Sequence, residues 1–479
     1  MKKNEAMSSA RSYRKTQVRQ GTYALGLTAI VLVLLVVVNL LVRALPDEKT
    51  NIDLSPSLLY TISDTSRQLA AGLTEDVTLT VVQDPDDADE RIQTFLESYA
   101  SLSSHFTLDS MDPALHPEII SEYGIEDSCV LVRCAATGRH KTVNFSDIVV
   151  KQPNAYYQYY YNQTVMEERW FDGEGQLSSA VNYVTGTDLS AMYITYMHGE
   201  VNPSDQVTGL LSKANIETKA LDINEEGIPE DCDVMLISEP VSDLSADEAD
   251  QIIAWLQKGH KLIVTTGSTP QNMFNPDNYP NLMKVLADYG LTMKKGIVID
   301  NERNGGRSNP FLIFAVVDEE TESFPSIDLS SSSIALNMAS SIGYLEGTRR
   351  TVKYEELMHT SASAYFYYPE ESTVTQDFNQ ETLAVKATDG DTQLILFGSG
   401  SIADASLSTN YTNLSNARAF MDLVESLYPD LTTVTIDSKD LRVSYNAVSH
   451  GLAWGLAFAA IPLVLIIVGF VIWFRRRRK

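Results

Sequence analysis

Asp233-Val-Met-Leu-Ile-Ser-Glu-Pro240, the run from Ser245 to Lys258 and Lys261-Leu-Ile-Val-Thr265 follow one another as strand, helix and strand. The two apolar runs are short and β-branched. The segment between them carries Ile252, Ile253, Trp255 and Leu256 at the spacing of one helix face. Upstream, Met192-Tyr-Ile-Thr-Tyr196 is a strand and Ser204 to Ala214 a helix. Downstream, Leu383-Ala-Val-Lys386 and Gln393-Leu-Ile-Leu-Phe397 are strands, and Asn416 to Tyr428 is a helix. Such alternation predicts βαβ units and a largely parallel sheet over 188–440, with a late strand returning to it. Residues 300–380 are Ser-rich and irregular in pattern.

The N-terminal side of this region reads differently. Val77–Val82, Phe106–Asp109, 128–134 and 139–145 are strand candidates, with helices over 91–102 and Pro117–Tyr123. The order β-α-β-α-β-β over 50–150 resembles a thioredoxin-like unit stripped of its redox cysteines. Residues 151–187, rich in Gln, Asn, Tyr and Gly, read as a linker.

At both ends the chain is apolar. Gln20–Val42 and Gly451–Phe474 hold 23 and 24 residues without a charge. At about 1.5 Å per residue, each spans a hydrocarbon layer of about 30 Å as a helix. Lys2, Lys3, Arg11, Arg14, Lys15 and Arg19 flank the first, and Arg475–Lys479 flank the second. Positive-inside logic therefore puts the tails 1–19 and 475–479 in the cytoplasm and 46–450 outside, in a two-pass plasma-membrane protein.

The chain has 36 Lys+Arg against 63 Asp+Glu, a net charge of -27. Without the basic flanks, 46–450 carries 24 basic and 62 acidic residues. Phosphate backbones would be repelled, which excludes a nucleic-acid partner. The apolar fraction of 44% excludes a disordered scaffold. Three cysteines, Cys129, Cys134 and Cys232, are too few for a disulfide framework. Cys129 and Cys134 are also about 16 Å apart along a strand, too far to bond.

His198-Gly-Glu200 follows the strand 192–196, at the sheet edge where open α/β folds bind ligands. A His and a Glu suit acid–base work, but no nucleophile or metal-ligand set accompanies them. His198, Gly199 and Glu200 are therefore candidates for binding or loop shaping. Gly398-Ser-Gly-Ser-Ile-Ala403 matches G-x-G-x-x-A in outline, a loop able to approach a pyrophosphate. Without a convincing helix start it reads as a tight sheet-edge loop, and Gly398 and Gly400 stand as binding candidates. A nucleophile elbow after Ile237 is disfavoured by Pro240 and the lack of glycines. Asp84-Pro-Asp-Asp-Ala-Asp-Glu90 lacks the glycine of a calcium loop, and its acids suit a helix N-terminus. The tyrosines of 156–161 and 365–368 read as half-buried strand residues in preference to exposed stacking surfaces for a glycan or partner. No catalytic residue, metal site or cofactor is expected.

Ser55-Pro-Ser-Leu-Leu-Tyr-Thr-Ile-Ser-Asp-Thr65, Phe106-Thr-Leu-Asp-Ser-Met-Asp-Pro113 and Tyr193-Ile-Thr-Tyr-Met-His-Gly-Glu200 are similar to segments of one family. So are Pro229–Ile237 with Pro240, Leu357-Met-His-Thr-Ser361, Gly398-Ser-Gly-Ser401 and Asn416-Ala-Arg418. In this order they resemble GldG-type proteins, auxiliary components of ABC transport systems linked to gliding motility. Met197 stands where that family's turn has its first glycine. The resemblance implies a body outside the cytoplasm, association with an ABC permease and ATPase, and a degenerate, flavodoxin-like glutamine-amidotransferase module in 188–440. The function it implies is a non-catalytic auxiliary subunit. The alternatives are a membrane-anchored hydrolase using His198 and Glu200, or an envelope ligand sensor.

Overall fold

Nine of the strands join in one sheet, and the side chains along its central members explain why. In Val234–Ser238, Val234 and Leu236 enter one hydrophobic cluster while Met235 and Ile237 enter another. Leu262 and Val264 face the same way as Met235, with Ile263 opposite. Successive strand residues point to opposite faces, so an unbroken apolar run implies a sheet covered on both sides. The computed structural model describes residues 55, 57–161, 163–186, 190–268, 273–318, 321–404, 407, 414–428 and 436–442. The apolar segments 20–42 and 451–474 and both basic tails lie outside them. Among the described residues, no helix is long and apolar enough to cross a membrane.

The chain divides into two units, Met1–Thr61 with Lys439–Lys479, and Ile62–Ser438. In the first, Lys439 Nζ donates to the carbonyls of Leu59 at 3.2 Å and Thr61 at 2.5 Å. The Ser57 hydroxyl donates to the Asp440 carbonyl.

The second unit begins with a four-stranded sheet. Strands β1 (Val77–Val82), β2 (Phe106–Met111), β3 (Cys129–Cys134) and β4 (Arg139–Asn144) lie in the order β2-β1-β3-β4. Only β1 and β2 are parallel. A parallel pair needs a crossover, here helix Glu90–Ala100, which buries Ile92, Phe95, Leu96 and Tyr99. The element order β-α-β-α-β-β is the one the sequence predicts.

Residues 151–187, expected as a linker, contain most of a β-hairpin and two helices. Strands β5 (Val149–Pro153) and β6 (Met166–Phe171) pair antiparallel. Helix Gly173–Thr185 buries Leu177, Ala180, Val181 and Val184 and packs on β3 and β4. Those four residues recur at helical spacing, a pattern that the polar composition hides. Helix Ala155–Tyr161 leaves Tyr156, Tyr157, Tyr160 and Tyr161 exposed, which corrects their reading as half-buried strand residues.

The large sheet comprises β7 (Ser190–Thr195), β8 (Ile216–Leu221), β9 (Val234–Ser238), β10 (Lys261–Thr265), β11 (Leu291–Met293), β15 (Ile342–Tyr344), β16 (Lys353–His359), β19 (Thr382–Asp389) and β20 (Thr392–Phe397). The short strands β12 (Ile297–Asp300), β13 (Leu312–Phe314), β14 (Ala335–Asn337), β17 (Ala364–Tyr368) and β18 (Thr373–Val374) pair among themselves within the irregular stretch. The main order is β8-β7-β9-β10-β20-β19-β15-β11, with β16 also on β19. From β8 to β20 the neighbours are parallel, and beyond β20 they are antiparallel. Helices Asp205–Lys213 and Asn416–Ser426 contribute to one apolar layer, and Ala246–Leu256 and Pro280–Asp288 to the other.

Candidate functional site

Strand β7 has β8 on one side and β9 on the other, so the chain reverses direction across the sheet at β7. In open α/β sheets such a switch point leaves a crevice at the carboxyl ends of the strands. The loops after β7, β9, β10 and β20 converge at that edge. The Val201 N–H donates to the Ser238 carbonyl at 2.9 Å, and the amides of Val241 and Ser242 donate to the His198 carbonyl at 2.8 and 3.0 Å. Glu239 N–H reaches Thr265 O at 3.0 Å, Thr266 N–H reaches Phe397 O at 2.9 Å, and Ser204 N–H reaches Ala403 O at 3.1 Å. The structure thus brings His198, Gly199 and Glu200 to the same edge as Gly398 and Gly400.

Within the β7 loop, His198 lies between two buried carboxylates. Its Nδ1 is 3.3 Å from Glu200 Oε1 and its Nε2 is 3.2 Å from Glu248 Oε2. The His198 backbone N–H also donates to Glu200 Oε2 at 2.6 Å. Glu248 comes from helix Ala246–Leu256, where it closes a capping box with Ser245. Hydrogen bonding to Glu200 raises the His198 pKa, burial opposes the rise, and the Glu248 charge reinforces it. Burial disfavours charge on Glu200, but the bonds from His198 outweigh it and hold its pKa below the usual value. The cluster is an ion-paired lock between a loop and a helix N-terminus, one imidazole serving two carboxylates.

The β9 loop supplies Glu239, which the sequence did not single out. It follows the strand directly at φ 46°, left-handed backbone that is unusual for a residue with a side chain. Burial pushes its carboxyl pKa up, against a hydrogen bond from the Gly400 N–H to Oε1 at 3.0 Å. A Cβ at Gly400 would collide with the Glu239 carboxyl, and one at Gly398 with the Ser340 carbonyl. The glycines of Gly398-Ser-Gly400 thus admit neighbouring protein groups. An acidic side chain occupies the Gly400 amide, a setting that repels phosphate. The following helical segment, Gly400–Ala403, is one 3-10 turn.

Cys232 is buried at the opposite end of β9, its thiol pushed up to about 12 by burial and the neighbouring Asp231 and Asp233. Among the described residues, no group of three or more His, Cys, Asp or Glu is placed to hold a metal ion. Around the loops lie exposed apolar side chains: Tyr196, Met197, Val201 and Val241.

Residues 173–417, just over half of the chain and the whole switch-point sheet, match the model of an ABC-transport auxiliary family described as an ABC-type uncharacterized transport system. The chain belongs to this family. Membership supports an auxiliary role in ABC-type transport and association with ABC transporter components. Residues 57–151, which hold the four-stranded sheet, match a domain of unknown function. The comparison with curated proteins returned no match.

Solved structures resemble the auxiliary-family chain only distantly. The mmIFT52 N-terminal domain is 13% identical with a TM-score of 0.37, over 49% of this chain and 96% of that one. A cytoplasmic protein from Salmonella typhimurium is 12% identical with a TM-score of 0.32, over 50% and 98%. A glutamine amidotransferase from Thermotoga maritima is 10% identical with a TM-score of 0.29, over 50% and 98%. Likenesses at these scores carry no functional argument.

Proposed function

We propose that the chain is a non-catalytic, two-pass membrane subunit of an ABC transporter, of the GldG type, with its body outside the cytoplasm. Its partners are an ABC permease and ATPase. The observation that carries this reading is the family match across the entire switch-point sheet. Two others support it. The segments next to the apolar stretches, at Leu59–Thr61 and Lys439, are hydrogen-bonded to each other, as expected of a body entered and left from one membrane face. The switch-point loops present apolar tips around side chains already committed to one another, which suits a contact surface better than a reaction centre. Differential contact of such a surface with two permease states would bias the transport cycle.

The test is mild detergent extraction of the tagged full chain from its native membrane, with mass spectrometry of the co-purifying proteins. A permease and an ATPase at near-stoichiometric yield are expected. Their reproducible absence from folded, intact protein would overturn the subunit reading.

A further inference from the structure

The β5–β6 hairpin ends in an uncharged tip that bears tyrosines. From Gln152 to Met166 the chain carries no charged side chain, within a region, 46–450, that is otherwise strongly acidic. Asn154 Oδ1 accepts the Tyr156 N–H at 2.9 Å where helix Ala155–Tyr161 begins. The rings pack on one another, Tyr156 on Tyr160 with centroids 4.8 Å apart and Tyr157 on Tyr161 at 5.9 Å. Yet Tyr156, Tyr160 and Tyr161 remain 56%, 66% and 58% exposed, and Met166 51%. Large amphipathic rings gathered at an uncharged tip form a contact surface, not a core.

The arm under this tip is tied to the body at its base. Lys151–Pro153 and Met166–Glu168 are exposed, whereas Val149 and Phe171 are buried. At about 3.3 Å per residue, the strands carry the tip about 15 Å from that base. Arg91, from helix Glu90–Ala100, holds Glu168 midway along the arm at 2.6 Å. Just past the base, the chain's two routes to the apolar stretches converge. Glu174 Oε1 accepts the Ser63 N–H at 2.8 Å and its hydroxyl at 2.6 Å. Lys213 Nζ joins Asp172 Oδ1, at 2.8 Å, to the Ile436 carbonyl, at 3.1 Å. Twenty residues separate Val42 from Ser63, and fourteen separate Ile436 from Gly451. Fully extended, the shorter connection reaches about 50 Å.

We propose that the tyrosine tip rests in the headgroup layer of the bilayer surface that faces the body, as a membrane contact additional to the two apolar stretches. The proposal rests on the two-pass reading for the course of both connections. They leave this unit at the root of the arm, which puts the arm on the side turned to the bilayer. Tyrosine suits the headgroup layer, since its ring is apolar and its hydroxyl stays hydrated. The missing charge matters equally, because an acidic tip would be repelled by lipid phosphates. A second copy of the chain would also cover the rings, and the test separates it from lipid.

The experiment reconstitutes the full chain in phosphatidylcholine vesicles, part of the lipid bearing a headgroup nitroxide, and reads quenching of a fluorophore on an introduced cysteine. Cys129, Cys134 and Cys232 are buried, which leaves the introduced thiol as the one labelled. Gln163→Cys, exposed two residues past the helix, reports the tip, and Glu97→Cys, exposed on helix Glu90–Ala100, reports the body. Nitroxide lipid should lower emission at position 163 about twofold and leave position 97 unchanged. Tyr156→Ser/Tyr160→Ser, both on the exposed tip, should remove most of that quenching. No quenching at position 163, or quenching that the tyrosine pair leaves unaltered, would overturn the proposal. Shielding of position 163 from iodide without lipid quenching would overturn it in favour of a second copy. Val37→Cys, read with an acyl-chain nitroxide, tests the apolar stretch by itself, so a tip that misses the bilayer and a failed anchor are told apart.

Discussion

Two neighbouring residues, Met197 and His198, show how the β7 loop is held. Met197 has φ 98°, a conformation glycine adopts freely and a side chain resists. The family that this turn resembles has glycine there, so the departure puts a side chain on a strained backbone angle. Met197→Gly is expected to raise stability by about 1 kcal/mol, read by denaturant unfolding of the full chain. An unchanged or lowered midpoint would mean that the Met197 side chain contributes packing that offsets the strain. His198 makes stability depend on pH. Its pKa is raised in the folded state, so its contribution is complete below about 6.5 and is lost as pH rises through the folded value. Glu200 is shifted down, so its contribution is present above about 4.3 and is lost as pH falls through its folded value. The lock is therefore strongest in mild acid, between those limits. His198→Ala strands two buried carboxylates and should cost about 3 kcal/mol at pH 6, with a smaller loss at pH 9. Equal losses at both values would remove the charged-imidazole account.

Between elements, the contact that matters most is the one least visible in the chain's pattern. Gly400, after β20, has room only for hydrogen, because the Glu239 carboxyl from the end of β9 fills the adjacent space. Gly400→Ala should therefore cost about 1–3 kcal/mol through overpacking. Glu239→Ala in the same chain should recover most of it. A double-mutant cycle checks this, since independent sites would give additive losses. The strands themselves were legible, because an apolar run such as Val234–Ile237 has few alternatives once it is bounded by turns. His198-Gly-Glu200 could be placed at the sheet edge for the same reason. Glu239 could not be found that way, since its importance rests on one backbone angle and on a glycine far along the chain. Glu248 carried a local signal, Ser245-x-x-Glu248, but that pattern marks a helix start and does not reveal the imidazole it meets. Helix Gly173–Thr185 was hidden for a different reason. Its buried face includes Ser178 and Ser179, so polarity there does not report exposure.

For the whole molecule, the charge distribution makes membrane topology the property to test. The tails are basic and the region 46–450 strongly acidic, so the proposed arrangement puts both tails in the cytoplasm and the body outside. The native cysteines suit this measurement because Cys129, Cys134 and Cys232 are all buried. Burial raises the Cys129 thiol to about 11, and burial with nearby acids raises Cys232 to about 12. Since the thiolate is the reactive form, both should resist maleimides at neutral pH. A cysteine introduced by Glu97→Cys, on the exposed side of helix Glu90–Ala100, would then report the location of the body. One introduced by Ser8→Cys would report the tail. A membrane-impermeant maleimide applied to intact cells, or to spheroplasts where an outer membrane intervenes, should label position 97 and spare position 8 until the membrane is opened. Labelling only after opening at both positions would put the body in the cytoplasm and overturn the two-pass arrangement with an external body. Labelling of both without opening would show that the tail crosses too. The second result would separate orientation from anchoring, because the apolar segments could still hold the chain in the membrane while the positive-inside assignment failed.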